Sequence, residues 1–337
     1  MSAVRATSAP SASLRLELVH GFLNEADPRA ELLLIGDGRA ALAELTARRT
    51  VTAGASFGIH KKTLFGLATE IAMVPLALAK RTPGLPLALS LLLGKAVAEL
   101  RGAGRLPVLA TRGDGSRVEI AASPGFVTAL GKTFHELDLA LGDSPSDPLA
   151  VLAEQNPLSA EIAALFRLYR ELCHSHGLAT RGDLLRLAAL HVRESPLAKL
   201  PIAMLDVRIG STAERLFASA LFAQAPRGLF VFPAGDASTL RSLRDLGVPI
   251  TSSGDRDGDA MAAFRARLFD SDATDPAPPA GTVHVASAPG EALEAIELAR
   301  YVMSEVRAGA TFSDIAIVLR RGERYATHLA AAFGRAG

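Results

Sequence analysis

Apolar residues recur in two rhythms along this chain. Compact runs bounded by glycine, proline or aspartate alternate with longer stretches whose apolar positions fall at helical spacing. The runs suit strands buried on both faces, and the stretches suit amphipathic helices. Residues 31–35, 201–206, 229–232 and 248–251 are of the first kind, and residues 39–49, 212–224 and 237–246 are of the second. Nearer the start, Leu14, Leu16 and Leu18 alternate with Arg15 and Glu17, which predicts a half-exposed strand. The Ser/Ala-rich residues 1–13 before it read as a disordered leader.

The end of the chain carries the same alternation. Val283, Val285 and Ala286 predict a short strand, and Leu293, Ile296, Val302 and Val306 predict one buried helix face. After Gly309, the run Ile315, Ile317, Val318 and Leu319 suits a central parallel strand. Together they predict a right-handed strand–helix–strand crossover. Another amphipathic helix starts at Glu323, and no strand follows it before Gly337, so the chain reads as the first portion of a longer one.

Between these parts, residues 63–193 are mostly helical in pattern, with helices over 64–79, 87–102, 124–141, 157–176 and 180–192. Asp114-Gly115 within residues 108–120 is compatible with a small hairpin. Residues 271–281, rich in Pro and Asp, read as a linker. The expected fold class is α/β. One domain is built from 14–63 and 197–270, with a helical insertion over 64–196, and a second α/β domain opens over 282–337.

Composition narrows the function classes. The chain has 36 basic and 35 acidic residues, so any contact with nucleic acid must come from a local patch. A single cysteine, Cys173, excludes an internal disulfide framework and suits a reducing, cytoplasmic compartment. There is no tryptophan and aromatics make up 5%, which leaves few candidates for a base-stacking platform. The apolar stretches 64–79 and 85–100 are broken by Glu70 and Pro75 and by Pro86, Ser90 and Lys95, so they read as buried helices rather than membrane spans.

The chemistry-bearing motifs are incomplete. Gly36-Asp37-Gly38 lies between a strand and a helix, where a phosphate loop would sit, but no Gly-Lys-Ser/Thr follows and Asp37 would repel a phosphate. The strand over 201–206 ends at Asp206, where an active nucleotide motor has an Asp-Glu pair for magnesium and water; here Val207 and Arg208 follow. Gly36, Gly38 and Asp206 are therefore read as degenerate nucleotide-site positions. Leu130-Gly131-Lys132-Thr133 ends like a phosphate loop, yet Phe126, Leu130, Phe134, Leu137 and Leu141 put Lys132 in mid-helix, where backbone amides are already bonded. Cys173, His174, His176 and His191 lack a second cysteine or a close acidic partner for a zinc site and read as a polar helix end before Gly177. Asp255, Asp257 and Asp259 imitate a calcium loop, but Ala266 stands where the bidentate Glu belongs. Lys61 and Lys62, in the local basic patch Gly58–Thr63, are the best candidates for phosphate contacts; the alternative is a solvated loop.

A family resemblance rests on Glu291, Glu294, Ala299-Arg300, Gly309, Asp314-Ile315-Ala316 and Val318-Leu319-Arg320. This stretch resembles the start of the second motor domain of UvrD-like helicases, and within them the AddB-type subunit of bacterial helicase–nuclease repair complexes. The resemblance implies a P-loop-NTPase-like sheet without its phosphate loop, an accessory helical insertion, and no cofactor or catalytic site within this chain. It implies a subunit that holds and scans DNA, with single-stranded DNA and a motor helicase subunit as partners. A PD-(D/E)XK nuclease domain would lie beyond Gly337. Two other classes stay open: a scaffold of the same fold that touches no DNA, and an ATPase with a divergent loop.

Overall fold

The computed structural model describes residues 4–109, 123–141, 148–254 and 284–336. The chain divides into two compact units, Met1–Asp257 and Gly258–Gly337, each described here by itself. The strands are β1 (Val4–Ala9), β2 (Leu32–Gly36), β3 (Ile59–Lys62), β4 (Thr82–Pro83), β5 (Leu178–Ala179), β6 (Ile202–Leu205), β7 (Gly228–Pro233) and β8 (Ile250–Ser252). The helices of the first unit are α1 (Ala12–Asn24), α2 (Arg39–Ala53), α3 (Leu64–Leu78), α4 (Pro86–Gly102), α5 (Pro124–Ala140), α6 (Pro148–Gln155), α7 (Pro157–Ser175), α8 (Arg181–His191), α9 (Thr212–Gln224) and α10 (Ala237–Asp245).

Six strands form one sheet in the order β3-β2-β6-β7-β1-β8, and every pairing between them is parallel. This is the expected α/β class. The first strand, however, lies where a disordered leader was expected. β1 pairs with β7 from Val4↔Gly228 to Ala9↔Pro233 and with β8 from Ala6↔Ile250 to Ser8↔Ser252. Its inward residues are Val4, Ala6, Ser8 and Ala9, small side chains that pack closely without a strong hydrophobic signal. Gly228, opposite Val4, is required by close packing. A Cβ there would lie 2.7 Å from the Ile202 side chain and 2.8 Å from that of Val4.

The segment expected as a strand over 14–18 is instead part of α1. Its buried residues are Arg15, Val19, Phe22 and Leu23, a helical spacing that the alternating Leu14, Leu16 and Leu18 conceal. Ser11 caps the helix by accepting from the Leu14 amide at 3.2 Å.

Strand side chains alternate between two covered faces. Leu32, Leu34, Ala203, Leu205, Leu229 and Val231 meet Val19, Phe22 and Leu23 of α1 and Leu42 and Leu45 of α2. On the other face Leu33, Ile35, Ile202, Met204, Phe230 and Phe232 pack with α3, α8, α9 and α10, through residues such as Leu67, Leu185, Phe217 and Leu243. The first and last helices of the expected insertion thus belong to the core of the sheet.

A second core gathers α4, α5, α6 and α7 around Leu93, Val97, Phe134, Ala163 and Phe166. Phe134 and Phe166 meet edge to face, with centroids 5.0 Å apart. The short pair β4–β5 joins Thr82 to Leu178 and Pro83 to Ala179. Within α5, Leu130 and Phe134 are buried while Lys132 is exposed in mid-helix, as its periodicity requires. α6 has no counterpart in the sequence reading. Most of the expected hairpin over 108–120, the calcium-like loop over 255–259 and the linker over 271–281 lie outside the described residues. The amides of Val108 and Leu109 donate to the buried carboxylate of Glu161 at 2.6 and 2.9 Å.

The second unit contains α11 (Glu291–Arg307) and α12 (Gly322–Ala336), packed through Ala295, Ala299, Leu329 and Ala332. Neither 284–286 nor 315–319 is a strand, so the expected crossover is not formed among the described residues. Ile315, Ile317 and Leu319 do alternate with exposed Ala316 and Val318, and Ile317 and Leu319 pack against the helix pair. The period-two pattern is present, but it has no ladder partner. Among the described residues, no helix is long and apolar enough to cross a membrane.

Candidate functional site

Parallel strands deliver all their carboxyl ends to one edge of the sheet, and ligands of open α/β sheets bind there, where successive connections leave in opposite directions. Among the described residues, α2 and α3 leave neighbouring β2 and β3 on opposite faces, and two further such points lie inside the sheet. α1 and α10 leave neighbouring β1 and β7 on opposite faces, and α2 and α9 do the same from β2 and β6. The residues at these crevices are Ala9, Pro10 and Ser11 after β1, Gly36, Asp37 and Gly38 after β2, and Asp206 to Arg208 after β6.

Arg15 fills the space between them. Its Nε donates to Asp206 Oδ1 at 2.6 Å and its Nη2 to Oδ2 at 3.3 Å. Its Nη1 donates to the carbonyls of Ala9 and Pro10, both at 3.0 Å. The turn after β1 therefore presents carbonyl oxygens to a guanidinium, where a phosphate loop presents amides to an anion. Pro10 has no amide to offer in any case. Asp206 holds its carboxylate toward Arg15 with a left-handed backbone, φ 54°, while its amide donates to Val231 O at 2.9 Å. That conformation is uncommon for a residue other than glycine.

Other carboxylates at this edge are used as helix caps. Glu214 accepts from the amides of Gly210 and Ser211, both at 3.1 Å. Asp236 accepts from the Thr239 amide at 3.0 Å and from the hydroxyls of Thr239 and Ser238 at 2.6 and 2.7 Å. Partial burial works against the Asp236 anion, but the Thr239 and Ser238 hydrogen bonds hold its pKa below the ordinary value. At Asp37 burial pushes the pKa up; the Arg208 backbone opposes this, and Glu214 and Asp206 add to it. An anion arriving here would meet Asp37, Asp206 and Glu214. Among the described residues, no group of three or more His, Cys, Asp or Glu side chains is gathered to hold a metal ion.

Gly36 is explained by packing. A Cβ would stand 2.8 Å from the Leu42 side chain and 3.1 Å from Leu205 O. Gly38 precedes α2 as its N-cap with an ordinary φ of −103°, and a Cβ there would make only an ordinary contact with the Ala41 side chain at 3.9 Å. Gly36 registers with Leu205, the residue before Asp206, across β2 and β6, whereas Lys61 and Lys62 lie on the edge strand β3. There they register with Leu34 and Ile35, which face opposite sides of the sheet, so the two lysines point to different faces. Lys61 is exposed, and Lys62 is ion-paired with Glu70 of α3.

Two ionic groupings were missed in the sequence. Arg15 is separated from Asp206 by 191 positions, and no local motif signals the pair. In the helical part, Asp138, only 3% exposed, accepts from Arg170 at 3.0 Å, from Arg186 at 2.9 Å and from the Gly182 amide at 2.7 Å. Asp183 accepts from Arg81, Arg170 and Arg186 at 2.9 to 3.0 Å. Cys173 is buried in the second core beside Tyr169, where burial raises its pKa to about 11. His176 ends α7, with its Nδ1 2.9 Å from Leu172 O. Comparison with protein-family models and with curated proteins finds no match to this chain.

Proposed function

We propose that this chain is the N-terminal, non-hydrolysing helicase-like part of a DNA double-strand-break repair helicase–exonuclease subunit, resembling the AddB type. In this reading it binds or scans single-stranded DNA beside a motor subunit that supplies ATP hydrolysis, and a nuclease domain lies further along the protein. The six-stranded sheet is the P-loop-like domain, with Asp206 at the magnesium-holding position, and the helices between β3 and β6 are the accessory insertion.

The observation that carries the reading is the occupancy of the nucleotide locus by Arg15. A parallel sheet with crevices at its carboxyl edge is the architecture this reading requires of a motor-like domain, and it supports the reading. The guanidinium between Asp206 and the carbonyls after β1 stands where phosphate and magnesium would be handled. Lys61 is the exposed cation left for a DNA phosphate on β3. The experiment is a fluorescence-anisotropy titration with a labelled single-stranded oligonucleotide at rising salt. Binding should weaken steeply with salt, and the Lys61→Ala/Lys62→Ala variant should bind more weakly at low salt with a shallower salt dependence.

A second reading, a scaffold of the same fold that contacts no DNA, is favoured by apolar side chains exposed on α3 and around the start of α4. Val74, Leu78, Leu85 and Leu87 are 67%, 81%, 71% and 72% exposed. Indifference to the oligonucleotide at low salt would select it.

A further inference from the structure

The helical part carries a half-open pocket of about 530 Å³ that takes no part in the DNA reading. Its apolar walls include Phe65 of α3, Leu89 and Leu93 of α4, Phe134 of α5 and Leu184 of α8. Volume and lining match those of small-molecule sites, which add a few placed polar groups to an apolar shell.

One polar group of the lining, Arg181, is left with an unmet donor. Asp138 lines the cavity, but both its oxygens are spent: Oδ1 on Arg170 and Arg186, Oδ2 on the Gly182 amide. Behind that wall Asp183 is shared by Arg81, Arg170 and Arg186. Arg181, also in the lining, stacks its guanidinium over the Phe65 ring at 4.2 Å from the centroid. Glu214 approaches it at 3.9 Å. Arg181 also feels the Asp37 carboxylate, so four guanidiniums stand among four carboxylates and the ionic groups are balanced. The Nε of Arg181 is buried with no hydrogen-bond partner, and a buried donor in that state marks a place for an acceptor.

We propose that this cavity binds a small amphipathic organic anion, an aryl or acyl carboxylate or sulfonate. Its acidic group pairs with Arg181, and its apolar body lies between Phe65, Leu89, Leu93 and Phe134. A nucleic-acid strand fits less well. Arg181 and His135 are the basic side chains of the lining, whereas a strand needs a track of cations for successive phosphates.

The test uses two fluorescent probes with a shared aromatic body, 8-anilinonaphthalene-1-sulfonate and the uncharged N-phenyl-1-naphthylamine. Gly131→Leu is the blocking variant. Gly131 lines the cavity in mid-α5, its Cβ would meet only Leu93 at 3.6 Å, and leucine is the better helix former. The sulfonate should bind saturably at one site. Arg181→Gln should weaken it about tenfold or more while changing the neutral probe less than about twofold. Gly131→Leu should abolish the saturable binding of both, with the circular dichroism spectrum unchanged. The proposal is overturned by any of four results: no saturable sulfonate site in the native protein, sulfonate binding that survives Gly131→Leu, equal loss of both probes in Arg181→Gln, or displacement of the sulfonate by a single-stranded oligonucleotide.

Discussion

Arg15 and Asp206 form a two-point ion pair across the carboxyl edge of the sheet, Nε to Oδ1 at 2.6 Å and Nη2 to Oδ2 at 3.3 Å. The pair ties the first helix to the end of β6, and its guanidinium also satisfies the carbonyls of Ala9 and Pro10. Removing the cation leaves the Asp206 carboxylate and the Pro10 carbonyl without the Arg15 donor, while Ala9 O keeps the Ala234 amide at 3.2 Å. Arg15→Ala should therefore destabilise the first unit by about 2–4 kcal/mol, and Arg15→Lys should restore only part of it. Urea unfolding midpoints check this, and a double-mutant cycle with Asp206→Asn should give a coupling of about 1–3 kcal/mol.

Gly36 separates a packing role from a phosphate-binding one. Gly36→Ala puts a Cβ against the Leu42 side chain and Leu205 O, so it should cost about 1–3 kcal/mol. Gly38→Ala makes only an ordinary contact with Ala41 at an ordinary φ and should change stability by less than about 1 kcal/mol. Thermal denaturation of the two variants gives the comparison. Equal effects would contradict the packing account.

The Asp138 network should be the most sensitive polar grouping in the helical part. Asp138→Ala leaves the Gly182 amide unpaired and takes one of two carboxylate partners from Arg170 and Arg186, which keep Asp183, and should cost about 3 kcal/mol. Gly182→Ala should be comparably disruptive, because its Cβ would stand 2.6 Å from the Asp138 backbone oxygen. Limited proteolysis between α4 and α8, read beside the unfolding curve, checks both.

Acid should loosen this part through Asp183. Burial disfavours its charged form, but Arg170 and Arg186 outweigh that and hold its pKa below the ordinary 3.8. A carboxylate depressed in the folded state contributes stability that is complete above its unfolded value and lost as pH falls through the folded one. The melting temperature should therefore fall below about pH 4 partly on account of Asp183. Asp183→Asn, already less stable at pH 7, should show a shallower decline. Parallel slopes for the two proteins would contradict this assignment.

The helices were legible wherever large apolar residues carried the period. α3, α5, α7 and α9 lie within a residue or two of their expected bounds because Leu, Phe and Ile mark the buried stripe. β1 was hidden for the opposite reason: its inward residues include Ala6, Ser8 and Ala9, which hydrophobicity barely registers. α1 was misread because Leu14, Leu16 and Leu18 alternate while a charged residue, Arg15, takes a buried position. The run at 315–319 has strand composition, but a strand exists only with a partner, and partners are not written locally. The absence of phosphate-loop residues at Gly36–Gly38 was readable. What stands at the carboxyl edge instead was not, since Arg15 and Asp206 meet only once the sheet is assembled.

The central claim, that Arg15 has taken the place of nucleotide chemistry in a retained motor-like fold, is tested most directly by a thermal-shift titration with millimolar magnesium–ATP. A ligand bound only by the folded state raises the melting temperature with concentration. The account predicts no shift for the native protein and none for Arg15→Lys beyond its own lower melting temperature. A saturable rise with ATP concentration would contradict it.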